Sequence, residues 1–329
     1  MDSKQRQDII IQLLESAPEV DALTVMNVIK TDTKTITGDF RELIAAGRII
    51  QSSPGHYKKP FDILSYLAQP LHMREAKEYS AVLLDEYTAN VSSLVGDENL
   101  EKLSKYKGSV QYSFRENLEL LEYIYIDMSY YSNTLAKGEL TKLDTEILLK
   151  FGKSPKGQSF QHSQRILNYK IILDILFDED SDFEYRVVDF QKIHEIVMNG
   201  RLADNLKGEL REYSIVISHS TYEPLSNPRV LENQFHMFID TLQKIQNPFE
   251  KSFFIFVFLP YILPFSEGNA ELARIVMNIP LIENGCPVAT FKNIEFEEYE
   301  LAYRALYELQ DIRLLQKIFL SFFHTSTKS

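Results

Sequence analysis

The chain has 329 residues, 44% apolar and 25% charged, which is the make-up of a globular protein with more than one core. Its net charge of −12 excludes nucleic-acid coating over the whole surface, because phosphate binding needs local positive potential. A single cysteine, Cys286, excludes an intramolecular disulfide, and no run reaches the ~20 apolar residues of a membrane span. The polar N-terminus lacks the apolar core of a signal peptide, so a soluble, cytoplasmic protein without membrane contact is expected. Cys286 itself reads as a small buried residue near a helix end.

Residues 1–60 carry eight basic and eight acidic residues, leaving 27 bases against 39 acids in the remainder. A neutral head on an acidic body confines any DNA contact to the head. Ile9, Ile10, Leu13 and Leu14 at helical spacing predict a first helix, ended at Ser16-Ala17-Pro18. Leu23, Met26, Val28 and Ile29 predict a second. Thr31-Asp32-Thr33 supplies capping chemistry for a third over 35–44, closed by Gly47. Two strands around Ser53-Pro54-Gly55 follow.

This order resembles the winged helix-turn-helix domains of bacterial regulators, here residues 1–59. The resemblance implies Lys34, Thr35, Thr37 and Arg41 facing bases or phosphates in a major groove, with Lys58 and Lys59 on the backbone. A winged helix that binds a protein partner has the same hydrophobic pattern, so both remain open.

A helical linker subdomain is expected over 60–112, with Tyr79, Leu83, Leu84 and Tyr87 on one stripe of a helix spanning 74–90 and another helix over 99–106. Three helical stretches follow in 113–177, then an acidic turn over 178–182, which reads as a solvated loop because it lacks the glycine and terminal Glu of a calcium loop. His194 lies among apolar neighbours on a helix over 189–199 and reads as structural. Ile215-Val216-Ile217, between Gly208 and Ser218-His219-Ser220, predicts a hairpin over 208–222. A long amphipathic helix over 230–246 precedes a helix-rich end, where Pro280 is expected to bend a helix.

Between two apolar helices stands the window Leu263-Pro264-Phe265-Ser266-Glu267-Gly268-Asn269-Ala270-Glu271-Leu272-Ala273-Arg274. Gly268-Asn269 opening a helix is a candidate anion site, because first-turn N–H groups have no intrahelical partner. The window resembles the Fic (Fido) signature H-P-F-x-[DE]-G-N-G-R-x-x-R. The 208–224 segment resembles that family's target-docking flap, and Tyr131–Thr141 resembles its regulatory helix. The later Met277-Asn278, Gly285-Cys286-Pro287 and the 299–322 tail fit as well. The resemblance spans 60–325 and implies a mainly α fold, a Fic-type helical bundle over 113–329 with a β-hairpin flap, preceded by the small winged helix.

Family members usually transfer AMP from ATP, with Mg²⁺, to a protein hydroxyl. The resemblance implies a general base at 263, where Leu263 cannot move a proton. It leaves Glu267 as a metal ligand, and Gly268, Asn269 and Arg274 as nucleotide contacts. Ala270 replaces a glycine and Glu271 a phosphate-clamping arginine; a carboxylate 4 Å from a phosphate charge is unfavourable by ~4 kcal/mol at an effective dielectric near 20. The family's inhibitory glutamate aligns with Ala136. Three readings follow: a catalytically impaired regulatory or signalling protein with a DNA- or partner-binding head; an atypical nucleotidyl or phosphoryl transferase using Glu267 or a substrate group as base, with His194 and His219 as the imidazoles to test in its place; and a scaffold that binds no nucleotide. A homodimer is expected from family habit.

Overall fold

The computed structural model describes residues 1–46, 48–59, 62–113, 117–155, 157, 160–178 and 183–324. Gly47 as a helix stop and positions 179–182 of the acidic turn lie outside the described residues. The chain divides into two compact units, Met1–Ala68 and Gln69–Ser329.

In the first unit, helices α1 (Ser3–Ser16), α2 (Ala22–Ile29) and α3 (Thr33–Ala45) accompany strands β1 (Val20–Asp21), β2 (Ile50–Ser53) and β3 (His56–Lys58). The three strands form an antiparallel sheet in the order β1-β3-β2. Each helix opens on an aspartate: Asp2, Asp21 and Asp32 accept from N3 main-chain N–H groups. Ile10, Leu14, Val25, Ile36, Phe40 and Leu43 close the core, and Phe40 stacks on Tyr57 with ring centroids 3.7 Å apart. On α2 the buried pair is Val25 and Ile29, one turn apart, whereas Leu23 and Val28 are exposed, contrary to the expected stripe. Buried Asp39 ties α3 to α1 through Arg6 Nε at 2.6 Å and Ser3 Oγ at 2.6 Å. The short helix α4 (Ile63–Leu67) ends the unit.

The second unit is helical, with a single two-stranded sheet among the described residues. Strand β4 (Lys77–Glu78) and helices α5 (Val82–Asp85) and α6 (Asp97–Leu103) come first. The bundle follows: α7 (Leu118–Leu135), α8 (Lys142–Phe151), α9 (Phe160–Leu176), α10 (Val187–Val197), strand β5 (Tyr222–Glu223), α11 (Pro228–Lys244), α12 (Pro248–Ile262), α13 (Asn269–Val276), α14 (Ile279–Glu283), α15 (Phe296–Leu309) and α16 (Arg313–His324). At the centre, α12 is buried at every position but Lys251. Its neighbours wrap it: Phe254 stacks on Phe238 of α11 and Phe253 meets Phe319 of α16. The mainly α fold agrees with the expectation.

Three local expectations give way. The 74–90 segment is not one helix, because the N–H groups of Lys77 and Tyr79 donate to the carbonyls of Thr221 and Glu223 and draw it into a parallel β4–β5 pair. The 208–222 segment is not a hairpin. Its ends are held by guanidinium groups rather than a ladder: Arg211 takes the carbonyls of Tyr213 and Leu225, and Arg74 that of His219. Pro280 does not bend a continuing helix; α13 has already ended and Pro280 sits in the first turn of α14, where its missing N–H costs nothing.

Candidate active site

The loop between α12 and α13 is locked from all sides. Helix α12 ends on Leu263 in the left-handed region (φ 55°), with only 5% of its surface exposed. Asn269 reaches back to the loop: its Oδ1 accepts from the Phe265 N–H at 2.9 Å and its Nδ2 donates to the Phe265 carbonyl at 2.8 Å. Arg211 donates through its main-chain N–H to the Pro264 carbonyl (3.0 Å) and through Nε to that of Leu263 (2.7 Å).

His194, from α10, lies beneath this loop, its ring stacked on Phe265 at 4.0 Å and 9°. Its Nδ1 accepts from the Gly208 N–H at 2.9 Å. The proton therefore sits on Nε2, which donates to the Glu267 carbonyl at 3.0 Å. Burial pulls the imidazole down to about 4, so it is neutral at pH 7. Both nitrogens are committed, and the residue holds the loop to the start of the 208–221 excursion. The structural reading of His194 stands. His219 is exposed and in the left-handed region (φ 61°).

Behind the loop, α13 buries charge. Glu271 is 5% exposed and does not stand alone. Arg201, from the turn after α10, binds it through both Nη atoms, Nη2 at 3.2 Å from Oε1, and Arg165 of α9 places Nε 3.1 Å from Oε1. Burial pushes the Glu271 carboxyl up, but Arg201 and then Arg165 outweigh that and hold it below its ordinary value. Arg165 also donates Nη1 to the Ala136 carbonyl at 3.2 Å, so the charge pair reaches the end of α7. The expectation of a lone repulsive carboxylate overlooked this pairing. Arg165 and Arg201 are 106 and 70 positions before Glu271 in the chain, and no local pattern marks them.

Arg274 is 2% exposed and spends its whole fork inside the protein. Nε donates to Ser132 Oγ (2.8 Å), Nη2 to the Ser132 carbonyl (3.1 Å) and Nη1 to Tyr299 Oη (2.9 Å). Gly268, in the left-handed region (φ 75°), starts α13, and Ala270 lies in its first turn. The Glu267 side chain is exposed. Among the described residues no group of three or more His, Cys, Asp or Glu side chains is placed to hold a metal ion.

Over these residues lies a cleft of about 340 Å³, walled by Ala270, Glu271, Arg201 and Arg274 on one side and by Tyr299 and Arg304 of α15 on the other. A larger cavity, about 450 Å³, lies between α7, α8 and α9, but its rim charges satisfy one another as Glu122–Lys150 and Lys170–Asp174.

Residues 184–281, from before α10 into α14, match the model of the Fic/DOC family. The chain carries a Fic domain. Solved structures of similar fold include Fic-1 from C. elegans (17% identity, 68% of each chain, TM-score 0.55). A Fic domain containing signaling protein from Bacteroides thetaiotaomicron is 18% identical over 69% of this chain and 91% of its own, with TM-score 0.53. A Fic family protein from Desulfovibrio desulfuricans is 17% identical over 72% and 74%, with TM-score 0.58. No curated protein matches the chain. These likenesses concern the fold; the loop, its His194 pin and the Arg165–Glu271–Arg201 group lie in or beside the Fic domain.

In the first unit, Lys34, Thr37 and Arg41 are exposed at one-turn and two-turn spacing on α3. Thr35 is half-buried and gives its hydroxyl to Asp32 Oδ2 at 3.0 Å, while Thr37 donates to the Thr33 carbonyl at 2.7 Å. Lys58 is exposed on β3, and Lys59 pairs with Glu15 at 3.3 Å.

Proposed function

We propose that this Fic-domain protein is a regulatory protein with an impaired transfer site and a winged helix-turn-helix head that binds DNA. The observation that carries the first half is Leu263. A buried aliphatic side chain stands where the family's proton acceptor belongs, and His194, beneath the loop, has both ring nitrogens engaged. Fic proteins use ATP with Mg²⁺, and the donor set here does not fit that pair. Glu267 is a solitary exposed carboxylate, the side chain of Asn269 is spent on Phe265, and Arg274 has no free nitrogen. The first-turn N–H groups of α13 and the Arg201 side of the cleft support retention of anion affinity without transfer.

Incubation with labelled ATP and Mg²⁺ tests this reading, with no label expected on the protein or on a lysate target. Label that disappears on Glu267→Ala would establish an atypical transferase instead. Calorimetry with ATP or ADP separates a sensing cleft from a scaffold: absence of heat at millimolar nucleotide supports the scaffold.

The exposed Lys34–Thr37–Arg41 face, with Lys58 on the neighbouring hairpin, supports DNA as the partner of the head. A mobility shift on genomic fragments should be weakened by Lys34→Ala and Arg41→Ala, with each loss reducing the salt dependence of log K by about 0.9. Absence of any shift would turn the reading toward a protein partner.

A further inference from the structure

We infer that the cleft over Glu271 takes a free α-amino acid with an apolar side chain, held between Glu300 and Arg304 of α15. The inference rests on the reading of that cleft as a sensing site without transfer, and it names the ligand sensed. The cleft's volume of about 340 Å³ lies at the small end of ligand pockets, which run from about 300 to 1,000 Å³, so a compact molecule fits it.

Most charges of the cleft are already matched. Glu271 faces Arg201 and Arg165, and Arg274 spends its fork on Ser132 and Tyr299. Two charges are left over. Arg304 is half-buried and makes no hydrogen bond or ion pair among the described residues, and its Nε is cut off from water. A buried N–H without an acceptor is costly, so this guanidinium calls for one. Glu300 is half-buried too, and it has no hydrogen-bond or ion-pair partner among the described residues. The two stand one turn apart with the Glu first, the order in which helix neighbours pair well, yet no ion pair joins them. Both line the cleft instead.

Opposite unpaired charges on one wall match a ligand that carries both. An α-amino acid bears its ammonium and carboxylate on one carbon, and helix neighbours one turn apart have Cβ atoms about 5–6 Å apart, so a single molecule meets both. The fork of Arg304 takes the carboxylate, and Glu300 takes the ammonium. A polyphosphate is disfavoured, because Glu300 would face it. The remaining wall sets the side chain. Tyr303 and Tyr307 donate their hydroxyls to the carbonyls of Phe256 and Pro260, and Tyr299 Oη accepts from Arg274. These three rings therefore offer the cleft carbon rather than free polar ends, and Leu135 and Phe296 add apolar lining. An aromatic side chain suits such a wall.

Calorimetry on the full chain tests this with L-phenylalanine, beside hydrocinnamate, which lacks the ammonium, and phenethylamine, which lacks the carboxylate. L-Phenylalanine is expected to bind about tenfold more tightly than either. Glu300→Gln should erase the preference over hydrocinnamate and keep that over phenethylamine, and Arg304→Gln should do the reverse. A merely structural role for either residue would not split the two ligands in this way. Arg229→Gln, an exposed charge on α11, should leave the affinity within about twofold. Equal affinity for the three ligands, or equal losses in the Glu300 and Arg304 variants toward all three, would overturn the proposal. Heat with ADP but none with L-phenylalanine would overturn it and leave the sensing cleft standing, whereas heat with neither would overturn both.

Discussion

Helices α12 and α13 meet at one loop and are built on opposite principles. Of the 15 residues of α12, 14 are buried, and nearly all are apolar. The helix is held by area and shape, with Phe254 on Phe238 of α11, Phe256 on Tyr303 of α15, and Phe249 and Phe253 on Phe323 and Phe319 of α16. Helix α13 buries Asn269, Glu271 and Arg274 as well as its apolar stripe, so it is held by partners placed at fixed distances. Burial of area is non-directional and tolerates changes of sequence that keep volume, whereas a buried charge tolerates none that removes its partner. The difference explains how the corner between α12 and α13 accommodates both the aliphatic Leu263 and the carboxylate of Glu271. Leu263 satisfies the first principle, and Glu271 survives only because Arg201 and Arg165 satisfy the second.

The packing side of the comparison breaks most severely. Phe254→Ala removes a fully buried ring that stacks on Phe238 and meets Tyr87 and Phe258. A loss of about 3–5 kcal/mol is expected, read as a lower midpoint in urea unfolding. On the charged side, Glu271→Ala leaves two arginines facing an empty place, and breaking a buried pair costs about 3–5 kcal/mol. The cleft lets water reach Arg201, so the lower end of that range is expected. A loss below about 1 kcal/mol in the same unfolding assay would show that Glu271 is not needed for the fold.

Protonation breaks the loop more gently. His194 titrates near 4 in the folded protein against 6.5 when free, because it is buried with Nδ1 accepting from Gly208. Above pH 6.5 it is neutral in both states and costs nothing. Between 6.5 and 4 the unfolded chain takes up a proton that the folded chain refuses, so stability falls as pH falls, and the fall levels off below 4. About 2 kcal/mol should be lost between pH 7 and pH 5. His194→Gln should flatten that slope, at the expense of a lower starting stability. An unchanged slope would remove the histidine from this role.

The same contrast decides what could be read in the chain beforehand. Helices such as α7, α9 and α11 were legible because their burial repeats with helical period. The Leu263–Arg274 window was legible because its spacing is local. The missing pieces were the side chains that come from far away. Arg165, Arg201 and Ser132 reach α13 across 70 to 142 positions, and nothing near them in sequence marks a partner. The false hairpin over 208–222 failed for the same reason. Ile215-Val216-Ile217 has strand propensity, but the carbonyls on either side go to Arg211 and Arg74, and propensity yields to tertiary partners.

The smallest effects sharpen the comparison most, because they fall two residues apart. At Gly268 the backbone is left-handed (φ 75°), and an added Cβ would stand 2.6 Å from Met198 Sδ and 3.4 Å from His194 Nε2. Gly268→Ala should therefore cost about 1–2 kcal/mol through strain alone, and should lower the folded pKa of His194 further by loosening the contact with the Glu267 carbonyl, which favours the protonated ring. Ala270 sits inside α13, where the backbone is helical and the side chain faces the cleft. Ala270→Gly, which places glycine where the resemblance expects one, should lower stability by about 0.5–1 kcal/mol, since glycine is the poorer helix former. Thermal unfolding of the two variants reads both terms. If Ala270→Gly instead left stability unchanged and brought nucleotide binding with it, the second glycine would be needed for chemistry rather than for the backbone. The fold itself demands only the first: Gly268 stays because no other residue adopts that turn without strain, whether or not the loop transfers anything.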